Sequence, residues 1–310
     1  MPKKIIFMGT PMFAVPILKS LYQNGFPINL VYTQPPQKSH RGQKINKSPV
    51  QGISETLNIE FRSPQNLKNN TEEYEFLKKM EADLAIVVAY GQIIPKEFLS
   101  LTKKGFINIH ASILPKWRGA APIQRAIMNL DTETGISIMK INEELDSGPV
   151  SNTYKIKLDQ SLNATEVSEK LALIAADKIL DVVDEIFEGK SNFVDQDNSK
   201  ATYAKKITKN EGQIDWKSDA LKIIGKINGL YPYPGAFFIF NGQRYKVLKA
   251  EIGNGIGKNG EVISGDLEIA CGGEKSIKVF EIQREGKKVQ KIGEFMLGSQ
   301  IRKGSIISNV

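Results

Sequence analysis

A chain of 310 residues with 41% hydrophobic and 25% charged side chains has a globular composition, and its length favours two domains over one; a disordered, collagenous or low-complexity chain is excluded. Its longest apolar run, residues 84–90, is about a third of the roughly 20 residues a membrane-crossing helix requires, so no transmembrane helix is expected. The formal net charge is +8, and Cys271, the single cysteine, rules out an internal disulfide and a cysteine-based zinc cage.

Residues 4–8 are rich in β-branched and aromatic side chains and run into Gly9-Thr10-Pro11. Phe13, Val15, Ile17, Leu18 and Leu21 then fall at helical spacing, so the pattern is strand, turn, helix. Gly25 and Pro27 close that helix, residues 28–33 supply a second strand, and residues 71–80 and 84–89 repeat a helix and a buried strand. Another strand spans 105–110 and another helix 122–130. Residues 135–141 and 150–158 make a strand pair, followed by a long amphipathic helix over 164–188. This alternation predicts a Rossmann-like α/β domain over residues 1–189, a doubly wound, mostly parallel sheet with helices on both faces. Residues 190–210 are polar and lose any period, as a linker would. Beyond them a helix near 219–230 and short strands at 236–240, 244–250 and 276–282 predict a smaller, OB-like β-barrel domain over 211–310.

Charge is distributed unevenly. No acidic residue precedes Glu55, whereas Lys3, Lys4, Lys19, Lys38, Arg41, Lys44 and Lys47 give that stretch +7; residues 55–200 carry −6 and residues 201–310 carry +7. Two basic ends around an acidic middle suit a polyanion that touches both, although solubilising surface lysines would give the same sums. The stretch 34–48 is polar, free of acid and punctuated by Pro and Gly, in the manner of a loop that a phosphate backbone can order. Met1-Pro2-Lys3-Lys4 passes directly into apolar Ile5-Ile6-Phe7-Met8-Gly9 with neither a signal region nor an Arg/Ser-rich presequence, so a cytoplasmic location is expected.

The turn after the first strand lacks G-x-G-x-x-G, Gly189-Lys190-Ser191 lacks the upstream glycine of a phosphate loop, and no G-x-S-x-G elbow occurs. Chemistry concentrates instead in Asn108-Ile109-His110-Ala111-Ser112-Ile113-Leu114-Pro115-Lys116-Trp117-Arg118-Gly119. On a strand, Asn108 and His110 project to one face near the C-terminal end, where open α/β sheets bind ligands. The plainer alternative is a structural histidine satisfied by a backbone carbonyl. Leu145-Asp146-Ser147-Gly148 follows the strand pair's first member; alone it reads as a turn in which Gly148 supplies a positive φ. As a site residue, Asp146 would supply the carboxylate that Asn108 and His110 lack.

The chain resembles the methionyl-tRNA formyltransferases over essentially its full length, within the wider group of 10-formyltetrahydrofolate-dependent formyltransferases. The resemblance is carried by Ile6-Phe7-Met8-Gly9-Thr10-Pro11, Phe13-Ala14-Val15-Pro16, Tyr32-Thr33-Gln34-Pro35, Arg41-Gly42, Val87-Val88-Ala89-Tyr90-Gly91, residues 108–121, Asp146-Ser147-Gly148, Thr202-Tyr203-Ala204, Ile214-Asp215-Trp216 and Tyr233-Pro234-Gly235-Ala236. Met12 stands where that family usually has Asp, Ile113 where it has Leu, and Pro149 where it has Asp or Glu. The resemblance implies Asn108, His110 and Asp146 as catalytic residues, with Asn108 and His110 donating hydrogen bonds to the developing oxyanion. It implies Ser112, Ile113, Leu114 and Pro115 as folate-binding residues and Arg41, Lys44, Lys47, Lys205, Lys206 and Lys209 as tRNA-binding residues. The implied donor is 10-formyltetrahydrofolate, a substrate, with no metal; the implied partner is methionyl initiator tRNA, with no membrane, and the implied state is a monomer. Three other readings share parts of this pattern: a formyltransferase acting on a nucleotide or sugar, a formyltetrahydrofolate hydrolase, and a nucleic-acid binding module with a degenerate catalytic half.

Overall fold

The computed structural model describes residues 3–38 and 45–308. In chain order the first part contains β1 (Ile5–Gly9), α1 (Ala14–Gln23), β2 (Ile28–Tyr32), β3 (Gln37–Lys38), β4 (Ile45–Asn46), α2 (Pro49–Thr56), β5 (Phe61–Arg62), α3 (Thr71–Met80), β6 (Leu84–Val88), α4 (Lys96–Leu99), β7 (Phe106–His110), β8 (Arg118–Gly119), α5 (Pro122–Met128), β9 (Glu133–Lys140), β10 (Val150–Lys157) and α6 (Ala164–Glu188). After β11 (Tyr203–Ala204) come α7 (Ala220–Gly229), β12 (Ala236–Phe240), β13 (Gln243–Gly253), β14 (Glu268–Cys271), β15 (Lys275–Arg284), β16 (Gln290–Lys291) and α8 (Ile292–Gly298). The chain forms two compact units, one of residues 1–119, 135–156 and 168–203, the other of residues 120–134, 157–167 and 204–310.

A seven-stranded sheet in the order β10-β9-β7-β6-β1-β2-β5 organises the first unit. β1 pairs in parallel with β2 and β6, β6 with β7, and β2 with β5, whereas β9 lies antiparallel to β7. Every residue of β1 and β6 is buried, as expected of parallel strands covered on both faces, so their apolar runs continue instead of alternating. Helix starts follow local chemistry: the Ser48 hydroxyl accepts from the Gln51 N–H with Pro49 at the first helical position, and the Asn70 side chain accepts from the Glu73 N–H. Sequence periodicity did not separate α2 from the preceding polar loop, although Ser48-Pro49 is a helix-start signal.

α3 is tied to the sheet by buried Glu73, which accepts from Tyr32 Oη at 2.6 Å and from Arg62 Nη2 at 2.7 Å. Burial, reinforced by the Glu73 hydrogen bond, raises the Tyr32 pKa far above that of a free phenol. The Arg62 guanidinium also lies 4.2 Å from the Phe76 ring centroid.

The second unit holds an antiparallel, curled sheet of half-barrel form, in the order β12-β13-β15-β14 with β16 on β15. Its core includes Trp216, Ile223, Ile227, Phe238, Val247, Ile277 and Phe295. Phe238 stacks on Tyr245 with ring centroids 5.4 Å apart, and Tyr245 meets Phe295 edge-on. α5 packs on α7 at close range because Gly225 has no side chain: a Cβ there would lie 2.7 Å from Leu130 Cδ2. No helix of the described residues is long and apolar enough to cross a membrane.

Removing Glu73 leaves a buried hydroxyl and a guanidinium without their shared acceptor. Glu73→Ala should lower the unfolding free energy by about 3 kcal/mol or more, seen as a lower urea midpoint at constant slope. An unchanged midpoint would show that Arg62 and Tyr32 find replacement partners.

Candidate active site

Asn108 and His110 stand two residues apart on β7, so their side chains leave the same face of the sheet. On β9, Met139 lies opposite Asn108 and Ser137 opposite His110. Because β9 runs antiparallel, its end at Lys140 sits beside Ile107, behind the two polar residues, and the chain has to return over the face before β10 begins. That return delivers Asp146. Asn108 Nδ2 donates to Asp146 Oδ1 over a long 3.4 Å, and His110 Nδ1 lies 3.6 Å from Asp146 Oδ2.

The backbone of residues 117–119 fixes the other sides of both groups. His110 Nε2 donates to the Trp117 carbonyl at 2.8 Å. A carbonyl oxygen only accepts, so Nε2 carries the proton and Nδ1 is the nitrogen that faces Asp146. The Gly119 N–H donates to Asp146 Oδ2 at 2.8 Å. Thus the backbone-carbonyl partner of the plainer histidine reading exists, but it engages only one ring nitrogen. The His110 side chain is 6% exposed and that of Asp146 16%, which keeps the pair largely out of water while leaving an edge for a substrate.

Asp146 has φ of 47° and Trp117 of 62°, both in the left-handed region that non-glycine residues rarely adopt. Here the turn differs from the sequence expectation, since Asp146 takes the positive φ and Gly148 does not. Gly148 is required for space instead: a Cβ there would run into the Lys140 carbonyl.

Residues 112–115 form an irregular loop held from below. Buried Ser137 donates its hydroxyl to the Ser112 carbonyl at 2.8 Å and accepts from the Leu114 N–H at 3.1 Å. The Ser112 hydroxyl is itself buried and donates to the Lys116 carbonyl at 2.6 Å, while Ile113 and Pro115 are half-buried and Leu114 is buried. Met12 is 65% exposed, so the residue that departs from the family pattern there lies outside the core.

The cationic residues singled out for tRNA that are described fall on both units. Arg41 and Lys44 lie outside the described residues, and Lys47 pairs with Glu55 at 2.9 Å on the surface of the first unit. Lys205, Lys206 and Lys209 are exposed on the second unit.

Gln196, Thr202 and Ser137 carry structural duties around the site that sequence reading did not assign. The Thr202 carbonyl accepts from the Arg118 N–H at 2.8 Å, and Gln196 bonds the Asp146 turn. Both lie in the periodless stretch 190–210, where order comes from isolated bonds to distant residues and leaves no local signature.

An amide, an imidazole and a carboxylate thus stand together over one face of a parallel sheet with an antiparallel flank. The formyl transferase family model matches residues 3–183 and the model of the formyl transferase C-terminal domain matches residues 206–300. The chain belongs to the formyl transferase family. A methionyl-tRNA formyltransferase of Pelagibacter ubique (strain HTCC1062) is 66% identical over 310 residues, covering 100% of both chains. That of Chelativorans sp. (strain BNC1) is 40% identical over 310 residues, covering 98% of this chain and 99% of the relative. Among solved structures, the sugar 3N-formyl transferase WlaRD, determined with dTDP and 5-N-formyl-THF, superposes with a TM-score of 0.69 at 19% identity over 93% of this chain and 100% of that one. The N-formyltransferase from Helicobacter canadensis gives a TM-score of 0.70 at 18% identity over 90% of this chain and 99% of that one. At these identities the two superpositions establish the fold alone.

Gly148→Ala forces the carbonyl of Lys140 to move, and such overpacking should cost about 1–3 kcal/mol of stability. Chemical denaturation of the variant measures this directly, and an unaltered midpoint would mean that the turn widens freely.

Proposed function

We propose that the chain transfers the formyl group of 10-formyltetrahydrofolate to the α-amino group of methionyl initiator tRNA. The observation that carries this reading is the convergence of Asn108, His110 and Asp146, residues from two separate segments, on one face of the sheet. Full-length likeness to methionyl-tRNA formyltransferases supports the acceptor. The substrate brings its own nucleophile, so no serine or cysteine nucleophile is needed. The amine nitrogen bonds to the formyl carbon, the carbonyl oxygen becomes an oxyanion, and the bond from that carbon to the folate nitrogen then breaks as tetrahydrofolate leaves with a proton.

Asn108 Nδ2 donates to the oxyanion, a group that exists only as the reaction proceeds. His110 can donate from Nδ1 alone, because Nε2 is held by Trp117, and it does so only when the ring carries both protons. Asp146 stabilises that doubly protonated ring and takes part in moving the amine's proton towards the leaving nitrogen. Ser112, Ile113, Leu114 and Pro115 hold the folate mainly through backbone groups, a role supported by the bonds from Ser137 that fix this loop beside His110. Phosphates of the tRNA meet Arg41, Lys44, Lys47, Lys205, Lys206 and Lys209. The exposure of the last three supports this, and the surface pair of Lys47 with Glu55 is weak enough to exchange for a phosphate. The working division is a catalytic domain at 1–189, a linker at 190–210 and a tRNA-binding domain at 211–310, in a monomer acting in the cytoplasm.

Asn108→Ala and Asp146→Asn should each lower turnover by about 10²-fold or more in formylation of charged initiator tRNA, with little change in tRNA affinity. Near-normal turnover in either variant would remove that residue from the catalytic set. Replacing Lys205, Lys206 and Lys209 together with Ala should flatten the dependence of log affinity on log salt by roughly 0.7 to 0.9 for each phosphate that these lysines neutralise. An unchanged slope would return these lysines to ordinary surface charge.

A further inference from the structure

Arg118 is 3% exposed, so its guanidinium has to be satisfied inside the protein. Nε and Nη2 donate to Gln196 Oε1 at 3.0 and 2.8 Å, and Nη2 also donates to Asn198 Oδ1 at 2.7 Å. The amide nitrogen of Gln196 turns the opposite way: Nε2 donates to the Asp146 carbonyl at 2.9 Å and to the Gly148 carbonyl at 2.7 Å. The whole capacity of this amide is used. Its orientation is also unique, because guanidinium nitrogens only donate and carbonyls only accept, so a flipped amide would oppose like groups at every contact.

Both ends of the clamp touch the site. Asp146 is held at its backbone carbonyl by Gln196 and at its carboxylate by Gly119, the residue that follows Arg118. His110 is held by Trp117, the residue that precedes Arg118. Left-handed backbone at Trp117 and Asp146 is strained and persists only where surrounding bonds over-determine it. Gln196 is itself anchored, since Val194 exchanges both backbone hydrogen bonds with Val150 at 2.8 and 2.9 Å.

We propose that Gln196 and Arg118 form a positioning clamp that keeps the Asp146 carboxylate in register with Asn108 and His110 and thereby sets turnover. Gln196 spends both amide donors on the Asp146 turn and its acceptor on Arg118, so it acts through Asp146, and Arg118 acts through Gln196. The proposal rests on the assignment of Asp146 to the active site. Removing the clamp frees the 146–148 turn, and a displacement near 1 Å in such a group can cost about 10²-fold in rate.

The test is steady-state formylation of methionyl-tRNA by the full-length enzyme and four variants: Gln196→Ala, Gln196→Glu, Asp146→Asn and the Gln196→Ala/Asp146→Asn pair. Gln196→Glu keeps an acceptor for Arg118 at the same volume but sets a carboxylate oxygen against the Asp146 and Gly148 carbonyls, so only the turn's two donors are exchanged for repulsion; the urea midpoint of each variant shows that it is folded under assay conditions. Expected are a fall in kcat of about tenfold to 10²-fold in both Gln196 variants, with KM for each substrate within about threefold. In the Asp146→Asn background the Gln196→Ala change should add less than about twofold, because groups acting as a unit are not additive. A purely structural role would leave the kcat of the folded Gln196→Glu variant intact, or would add its full loss on top of Asp146→Asn; either result overturns the clamp. Full turnover in Asp146→Asn overturns the site assignment and the clamp with it. Full turnover in Gln196→Ala beside a slow Asp146→Asn overturns the clamp alone.

Discussion

Three consecutive backbone units, residues 117–119, hold His110 and Asp146 in place. The Trp117 carbonyl takes the Nε2 proton of His110 and the Gly119 amide gives its proton to Asp146, so one short stretch determines which ring nitrogen is free and where the carboxylate points. Backbone groups suit this task because they have few degrees of freedom to lose, and the stretch is itself fixed by Thr202, whose carbonyl and hydroxyl accept from the Arg118 and Trp117 amides. The left-handed conformation of Trp117 follows from these demands, which aim its carbonyl at a ring on β7 while the adjoining amides are held by Thr202.

The sheet supplies the second constraint. A parallel strand at the position of β9 would have delivered its following loop beyond the end of β7, whereas the antiparallel strand releases the chain beside Ile107. The loop then has to travel back over the face on which Asn108 and His110 stand, and Gly148 lets it lie close against Lys140 on the way. The same register sets Ser137 opposite His110, where its hydroxyl links the Ser112 carbonyl to the Leu114 amide and gives an irregular loop a fixed shape. Position of the site and order of the adjoining loop therefore share one cause.

In the second unit the requirements are different. A curled antiparallel sheet closes over Trp216, Phe238, Tyr245 and Phe295, whose rings supply much of the buried area of a small core. Lys205, Lys206 and Lys209 remain at the surface with their charged heads in water, whereas Lys226 is half-buried and donates to the Gln213 carbonyl at 2.8 Å.

Much of this was legible in the residues alone. α3 and α6 occupy the spans that periodicity predicts, since helix formation depends on neighbours three and four residues away and on end groups such as Asn70. The shared face of Asn108 and His110 followed from the two-residue period of a strand, which no tertiary contact can alter. Distant partners were another matter. Asp146 lies 38 residues from Asn108, and Gln196 lies 78 from Arg118, separations over which no local periodicity carries information. The polar stretch 190–210 carries no periodic signal because its order comes from isolated bonds to remote residues, such as those of Gln196 to the Asp146 turn and of Val194 to Val150. Sequence by itself determined the main helices and strands, their buried faces and the shared face of Asn108 and His110, all properties set by nearest neighbours along the chain. Only the tertiary structure decided the antiparallel placement of β9, the tautomer of His110, the left-handed backbone of Asp146 and the bonding partners of Gln196, because each depends on which distant donor meets which acceptor once the chain is packed.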